Sequence, residues 1–228
     1  MTHASRSRFH PLHLAAVLAV GFAVVTLCTL MGWTQSLDRG ALQTIRRSIP
    51  TLQPGESHLS IELMRDATSL GGIGLVATAG TLLIIYLALR GAWRGIVQVL
   101  VVVGGAQASV SLLKLIIARP RPDLVDHGAN VITYSFPSGH STLAAAVALS
   151  LAWAGAARHR RRVMKAYFWV LGFATLLLLG FSRMYLGVHW ISDVVGGLLL
   201  GSTFACLGAA LNQRARRPTL PTQHQDSP

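Results

Sequence analysis

The chain has 228 residues, 52% of them apolar and only 12% charged, with a formal net charge of +12. Such a length allows one domain, and such a composition excludes an ordinary soluble one. The net charge alone would fit a nucleic-acid binder, but the cations are sorted along the chain in a way that excludes that class.

Six runs carry no Asp, Glu, Lys or Arg: 12–33, 67–89, 95–113, 138–157, 166–182 and 194–211. Each is close to the roughly 20 residues that a helix needs to cross about 30 Å of hydrocarbon. They predict an all-α polytopic membrane protein with six transmembrane helices, the fifth having the least certain ends. The expected organisation is a cytoplasmic N-terminus over 1–11, a membrane domain over 12–211 and a disordered cytoplasmic tail over 212–228.

Arg6 and Arg8 before the first run resemble the start of a signal peptide. The run is long for a signal core, and Met31-Gly32-Trp33-Thr34-Gln35 offers no small-x-small cleavage site, so an uncleaved helix is expected. Between the first two runs lies an outer segment, 34–66. In it Leu37, Ala41, Ile45 and Ile49 recur every four residues, interleaved with Asp38, Arg39, Arg46 and Arg47 and ended by Pro50. That predicts a short amphipathic helix on the membrane surface, which either covers helix ends or forms a lid for a lipid substrate. A tight inner turn at 90–94 joins the second and third helices, and a Pro-rich outer loop, 118–136, joins the third and fourth. Gly71, Gly72, Gly74, Gly196 and Gly197 suit close helix packing in lipid. Cys28 and Cys206 lie within predicted spans as free thiols, with no disulfide or ligand spacing.

With the N-terminus inside, the inner segments hold twelve cations against the single carboxylate of Asp226. The outer segments and adjoining helix ends hold eight cations against seven carboxylates. This is the positive-inside bias, so the net charge reports topology rather than a nucleic-acid partner.

Three polar clusters interrupt the apolar pattern, where such residues are costly unless used. Under this topology all three fall on the outer side. Lys114 is followed by Arg119-Pro120-Arg121-Pro122, a stiff extended segment whose arginines can grip phosphate oxygens in a bidentate way. Pro137-Ser138-Gly139-His140 precedes the fourth run. Ser138 is a candidate N-cap, the first-turn amides have no intrahelical partner, and such a helix start binds anions. His140 in that turn can donate a proton to a leaving oxygen. Ser182-Arg183 is followed by His189 and Asp193, four residues apart and on one face if the sixth helix begins near Val188. A carboxylate holding one imidazole nitrogen leaves the other free to attack. Taken singly, each cluster has a structural reading: a headgroup-binding patch, a capped helix, a His–Asp bond between helix ends. Their order and common side carry the functional one.

These clusters resemble the tripartite pattern of the type 2 phosphatidic acid phosphatase superfamily, which also includes vanadium haloperoxidases. That pattern is Lys-x6-Arg-Pro, Pro-Ser-Gly-His and Ser-Arg-x5-His-x3-Asp, met here by Lys114 to Arg121-Pro122, Pro137 to His140, and Ser182-Arg183 to His189 and Asp193. The resemblance implies the helical bundle core shared by this superfamily, in its integral membrane branch. It implies metal-free phosphoryl transfer without a cofactor. His189 would be the nucleophile that becomes a phosphohistidine, Asp193 its orienting group and His140 the acid. Lys114, Arg121, Arg183, Ser138 and Gly139 would hold the phosphoryl oxygens, leaving Arg119 a lesser part.

The expected activity is hydrolysis of a lipid phosphate or diphosphate at the outer, periplasmic face of a bacterial inner membrane, with both termini cytoplasmic. Undecaprenyl diphosphate, phosphatidylglycerol phosphate, phosphatidic acid and lipid A phosphates are the substrates to consider. A phosphotransferase would use the same intermediate, and a non-catalytic lipid-phosphate binder would need only the cations. A haloperoxidase or a transporter fits the sequence less well.

Overall fold

In hydrocarbon every backbone N–H and C=O must be satisfied within the chain, and an apolar run of about 20 residues does this as a helix. The structure, a computed structural model, describes residues 10–47, 59–122 and 133–215, and every regular element among them is helical. In chain order these are α1 (Pro11–Leu30), α2 (Gln35–Arg47), α3 (Leu59–Ser69), α4 (Ile73–Leu89) and α5 (Trp93–Val99). α5 continues through one wide π-type stretch, Leu100–Gly105, into α6 (Ala106–Ile117). Then come α7 (Gly139–Arg158), α8 (Arg162–Tyr185) and α9 (Ile191–Ala215).

Among the described residues six stretches are long and apolar enough to cross a membrane: α1, α3 with α4, α5 with α6, α7, α8 and α9. Their outward faces carry large apolar side chains, among them Val17, Val20 and Val24 of α1, Leu82 and Ile85 of α4, and Val170 and Leu177 of α8. Such a girdle suits lipid and not water. Cys28 and Cys206 are free, as expected.

Small residues line the contact between the two central helices. α7 contributes Ala144, Ala145, Ala146, Ala148 and Ala152, and α9 contributes Ala205 and Ala209, all buried. At Gly197 a Cβ would stand 2.6 Å from the Ser138 carbonyl oxygen, and at Gly201 it would overlap that of Thr142. The two central helices therefore touch backbone to backbone, the contact that small residues permit in lipid. Gly201→Ala is expected to destabilise the protein by about 1–3 kcal/mol, because backbone and not a flexible side chain must yield. A lower thermal unfolding midpoint in detergent measures this, with Gly80→Ala, which meets nothing within 4 Å, as the neutral control.

Four details depart from the sequence expectations. The second span begins at Leu59, not Ala67, because Glu62, Arg65 and Asp66 ride on α3. The span has 31 residues and breaks at Leu70-Gly71-Gly72. The sixth helix begins at Ile191, not Val188, since the Trp190 N–H is taken by the Asp193 carboxylate at 2.9 Å. α9 extends to Ala215, into the segment read as a tail. On α2 the buried residues are Asp38 and Leu42, while Leu37 is exposed. The helix is turned so that its carboxylate faces inward, where a guanidinium and a hydroxyl receive it. The expectations for 1–9, 48–58, 123–132 and 216–228 lie outside the described residues.

Candidate active site

The four helix ends that carry the polar clusters lie on one side of the bundle: the end of α6, the start of α7, the end of α8 and the start of α9. Lys114 sits in the last turn of α6. The helix closes at Ala118, whose left-handed backbone (φ 48°) turns the chain and sends 119–122 across the neighbouring helix ends. Pro120 and Pro122 hold that strap extended. It is fastened by Ser135, whose N–H donates to the Arg119 carbonyl at 2.9 Å and whose hydroxyl donates to that of Pro120 at 2.9 Å.

Ser138 is the N-cap of α7, its Oγ accepting from the Ser141 N–H at 3.4 Å and the Ser141 hydroxyl at 3.0 Å. Its own N–H donates to the Asp193 carbonyl at 3.0 Å, which stitches the start of α7 to the start of α9. Gly139 is the first helical residue, so no intrahelical carbonyl reaches its amide. His140 follows, with its Nε2 beside Gly72 at the break between α3 and α4.

Arg183, in the last turn of α8, is buried. Its Nη1 donates to Thr68 Oγ1 at 3.0 Å, and its Nε is buried without an acceptor. Most buried polar atoms in proteins are paired, so a guanidinium with a donor to spare marks a place for an anion.

His189 and Asp193 are almost wholly enclosed. Nδ1 of His189 lies 3.4 Å from Asp193 Oδ2, which also accepts the Trp190 N–H at 2.9 Å. The carboxylate selects the tautomer protonated at Nδ1, leaving the Nε2 lone pair outward. That lone pair faces Nη1 of Arg121 at 3.3 Å. Arg121 is aimed there by the Val188 carbonyl, 2.7 Å from the same nitrogen, and by the Thr133 carbonyl, 2.7 Å from Nε. Lys114 reaches the same threonine, its Nζ 3.3 Å from Thr133 Oγ1. His140 lies within electrostatic reach of Arg183, His189, Lys114 and Arg121.

Burial pushes the His189 imidazole down to about 4 against the raising effect of Asp193, with Arg121 and Arg183 adding to the depression. Burial likewise lowers Arg121, opposed by Asp193. The result is a neutral imidazole among poorly hydrated cations, a combination that attracts a phosphoryl group and can attack it.

All eight residues singled out in the sequence thus gather at one end of the bundle. His189, Asp193 and Arg121 are joined by direct contacts, Ser138 is joined through its backbone, and Lys114 meets Arg121 at Thr133. Gly139 adds a first-turn amide, while His140 and Arg183 approach without direct bonds to the others. Sequence reasoning missed Thr68, Thr133, Ser192 and, above all, Asp38. Asp38 carries its own signal, for with Ala41, Leu42 and Ile45 it completes an i, i+3, i+4, i+7 face whose first member is acidic. Arg119, expected to stand behind the phosphate-binding residues, donates to Asp193 Oδ1 at 2.5 Å and to Asp38 Oδ2 at 2.7 Å.

A family model described as the PAP2 superfamily matches residues 95–217. Phosphatidylglycerophosphatase B of Bacillus subtilis (strain 168) is 31% identical over 166 residues, covering 68% of this chain and 77% of that protein. The undecaprenyl-diphosphatase of Sulfolobus acidocaldarius is 35% identical over 78 residues, 34% of each chain. Among solved structures, the crystal structure of a transmembrane PAP2 type phosphatidylglycerolphosphate phosphatase from Bacillus subtilis superposes with a TM-score of 0.74. It is 25% identical in sequence, over 92% of this chain and 99% of that one.

Proposed function

The chain belongs to the PAP2 superfamily as an integral membrane lipid phosphatase, and from that premise we propose that it hydrolyses a lipid phosphate or diphosphate through a phosphohistidine at His189. The observation that carries this reading is the His189 imidazole, held through Nδ1 by Asp193 and presenting Nε2 to Arg121. In the first step Nε2 attacks phosphorus while the bond to the lipid oxygen breaks, and His140 gives that oxygen its proton. In the second step water attacks the phosphohistidine, His140 takes a proton from the water, and the Nε2–phosphorus bond breaks to release phosphate. A lipid monophosphate leaves as the alcohol, and a diphosphate leaves as the monophosphate.

Lys114, Arg121 and Arg183, with the Ser138 hydroxyl and the Gly139 amide, hold the phosphoryl oxygens. The unpartnered Nε of Arg183 is the donor most in need of one. Three cations and a helix start supply the charge stabilisation that phosphoryl transfer chiefly needs, so no metal takes part in this scheme. The site faces the periplasm of a bacterial inner membrane, on the side opposite the inner cationic segments.

Phosphate release in detergent, with EDTA present, tests the reading. The panel comprises phosphatidylglycerophosphate, phosphatidic acid, undecaprenyl diphosphate and lipid A phosphates, and the Bacillus subtilis relative puts the first of these foremost. Release with no acceptor lipid present separates hydrolysis from transfer to a lipid hydroxyl. Activity that appears only on adding a divalent metal would sink the scheme.

A pH dependence follows. The nucleophile is the neutral imidazole, and burial holds its pKa near 4. The base form therefore persists as pH falls from neutrality, and the acidic limb of kcat/KM is expected near pH 4 rather than at the usual histidine value of about 6.5. An acidic limb at the usual histidine value would contradict a nucleophile buried in this way.

A further inference from the structure

We propose that Arg119 and Asp38 are positioning residues for the phosphoryl transfer, locking the Asp193 carboxylate in the orientation that keeps His189 ready to attack. The proposal rests on the His189 nucleophile reading. The two oxygens of Asp193 have separate duties. Oδ2 accepts the Trp190 N–H and faces His189 Nδ1, while Oδ1 accepts from Arg119 Nη1. Take Arg119 away and Oδ1 is a buried charged oxygen without a donor, free to be exchanged for Oδ2 by rotation of the carboxylate.

Arg119 is itself held from behind. Its Nη2 donates to Asp38 Oδ2 at 2.7 Å, and its Nη1 also donates to Ser192 Oγ at 2.7 Å. The Ser192 hydroxyl donates to Asp38 Oδ2 at 2.8 Å, which closes a ring of Asp38, Arg119 and Ser192. The Ser192 N–H, in the first turn of α9, donates to Asp38 Oδ1 at 2.9 Å, so a carboxylate from another helix caps the one that carries Asp193. The guanidinium also lies over the Trp190 ring, 5.7 Å from its centre. Both carboxylates are buried, at 1% and 0% exposure, so the guanidinium between them serves two charges held away from water.

α2, the strap at 119–122 and the start of α9 therefore converge on the group that orients the nucleophile. α2 acts as a strut for the catalytic carboxylate. A lid would have to break the Asp38–Arg119 ion pair to open.

The experiment uses the full chain in detergent and a short-chain phosphatidic acid, following kcat and KM separately. Arg119→Gln is expected to lower kcat about 10- to 100-fold with KM changed less than about threefold, the range for losing one charge-assisted hydrogen bond in the transition state. Arg119→Lys, which keeps the charge without the fork, recovers part of that. Asp38→Asn preserves shape and is expected to lower kcat about three- to tenfold. In a background of Asp193→Asn, Arg119→Gln adds no further loss, because it acts through a carboxylate already removed.

Normal kcat in Arg119→Gln and Asp38→Asn overturns the proposal. So does a change confined to KM, or a loss that multiplies with that of Asp193→Asn. If Arg119→Gln does not fold, the near-isosteric Asp38→Asn decides by its kcat alone. An active His189→Ala would instead overturn the nucleophile reading. An inactive His189→Ala beside unimpaired Arg119→Gln and Asp38→Asn leaves that reading intact and removes only the positioning role.

Discussion

His189→Ala is expected to reduce phosphate release by at least about 10⁴-fold, since loss of an enzymatic nucleophile removes the covalent path and leaves only binding and electrostatics. The substitution opens space in an almost fully buried position, but the pairs that hold the site together survive it. Arg121 keeps its bonds to the carbonyls of Thr133 and Val188, and Arg119 keeps both carboxylates. Substrate binding should therefore persist while turnover disappears. Inorganic phosphate, tested as a ligand of the variant, reports the first, and radiolabelled phosphate release reports the second. Protein quenched during turnover should carry an acid-labile, base-stable label in the parent and none in the variant. A variant with undiminished turnover would remove His189 from the reaction.

The second large effect is expected at Asp193. Asp193→Asn keeps the shape but replaces an acceptor with an amide, which no longer enforces the tautomer with the proton on His189 Nδ1. In a serine hydrolase triad the corresponding change lowers kcat by about 10⁴. Here about 10³- to 10⁴-fold is expected, with KM nearly unchanged because both Asp193 oxygens are taken up by Arg119, the Trp190 N–H and His189. The same substitution weakens a helix start, since Oδ2 also receives the Trp190 N–H. Unfolding in detergent should show a modest loss of stability beside the large loss of kcat. A large change in KM with kcat preserved would contradict an orienting role.

Much of this architecture was legible because membrane helices announce themselves locally. A charge-free run of the right length needs no partner to be recognised, and all six runs became helices. The N-cap of α7 and the closeness of His189 to Asp193 are likewise local, set by spacings within one turn. What escaped was long-range. Asp38 and Arg119 are 81 residues apart, and Asp38 and Ser192 are 154 apart, so no window of sequence contains the ring they form. Arg119 and Arg121 occur in the same Arg-Pro context, and only the folded strap assigns one to Asp193 and the other to His189. Gly71 and Gly72, read as packing residues, also mark a break in the second span beside His140. The register of α2 was misjudged for a related reason. An aspartate is placed outward by hydropathy, and only a cation waiting inside reverses that.

The glycine seam between α7 and α9 has a consequence for how such a sequence can change over time. Gly197 abuts the Ser138 carbonyl, two residues before His140 in the first turn of α7, while α9 begins beside His189. A single methyl group added to the seam pushes apart the helix ends beside which His140 and His189 sit. Exposed positions on the outer faces of α1, α4 and α8 have no packing partner within the bundle to satisfy and can exchange one apolar side chain for another at little cost. Mutational freedom is thus divided by direction rather than by distance along the chain. The sequence can drift widely toward the lipid while hardly moving toward the axis.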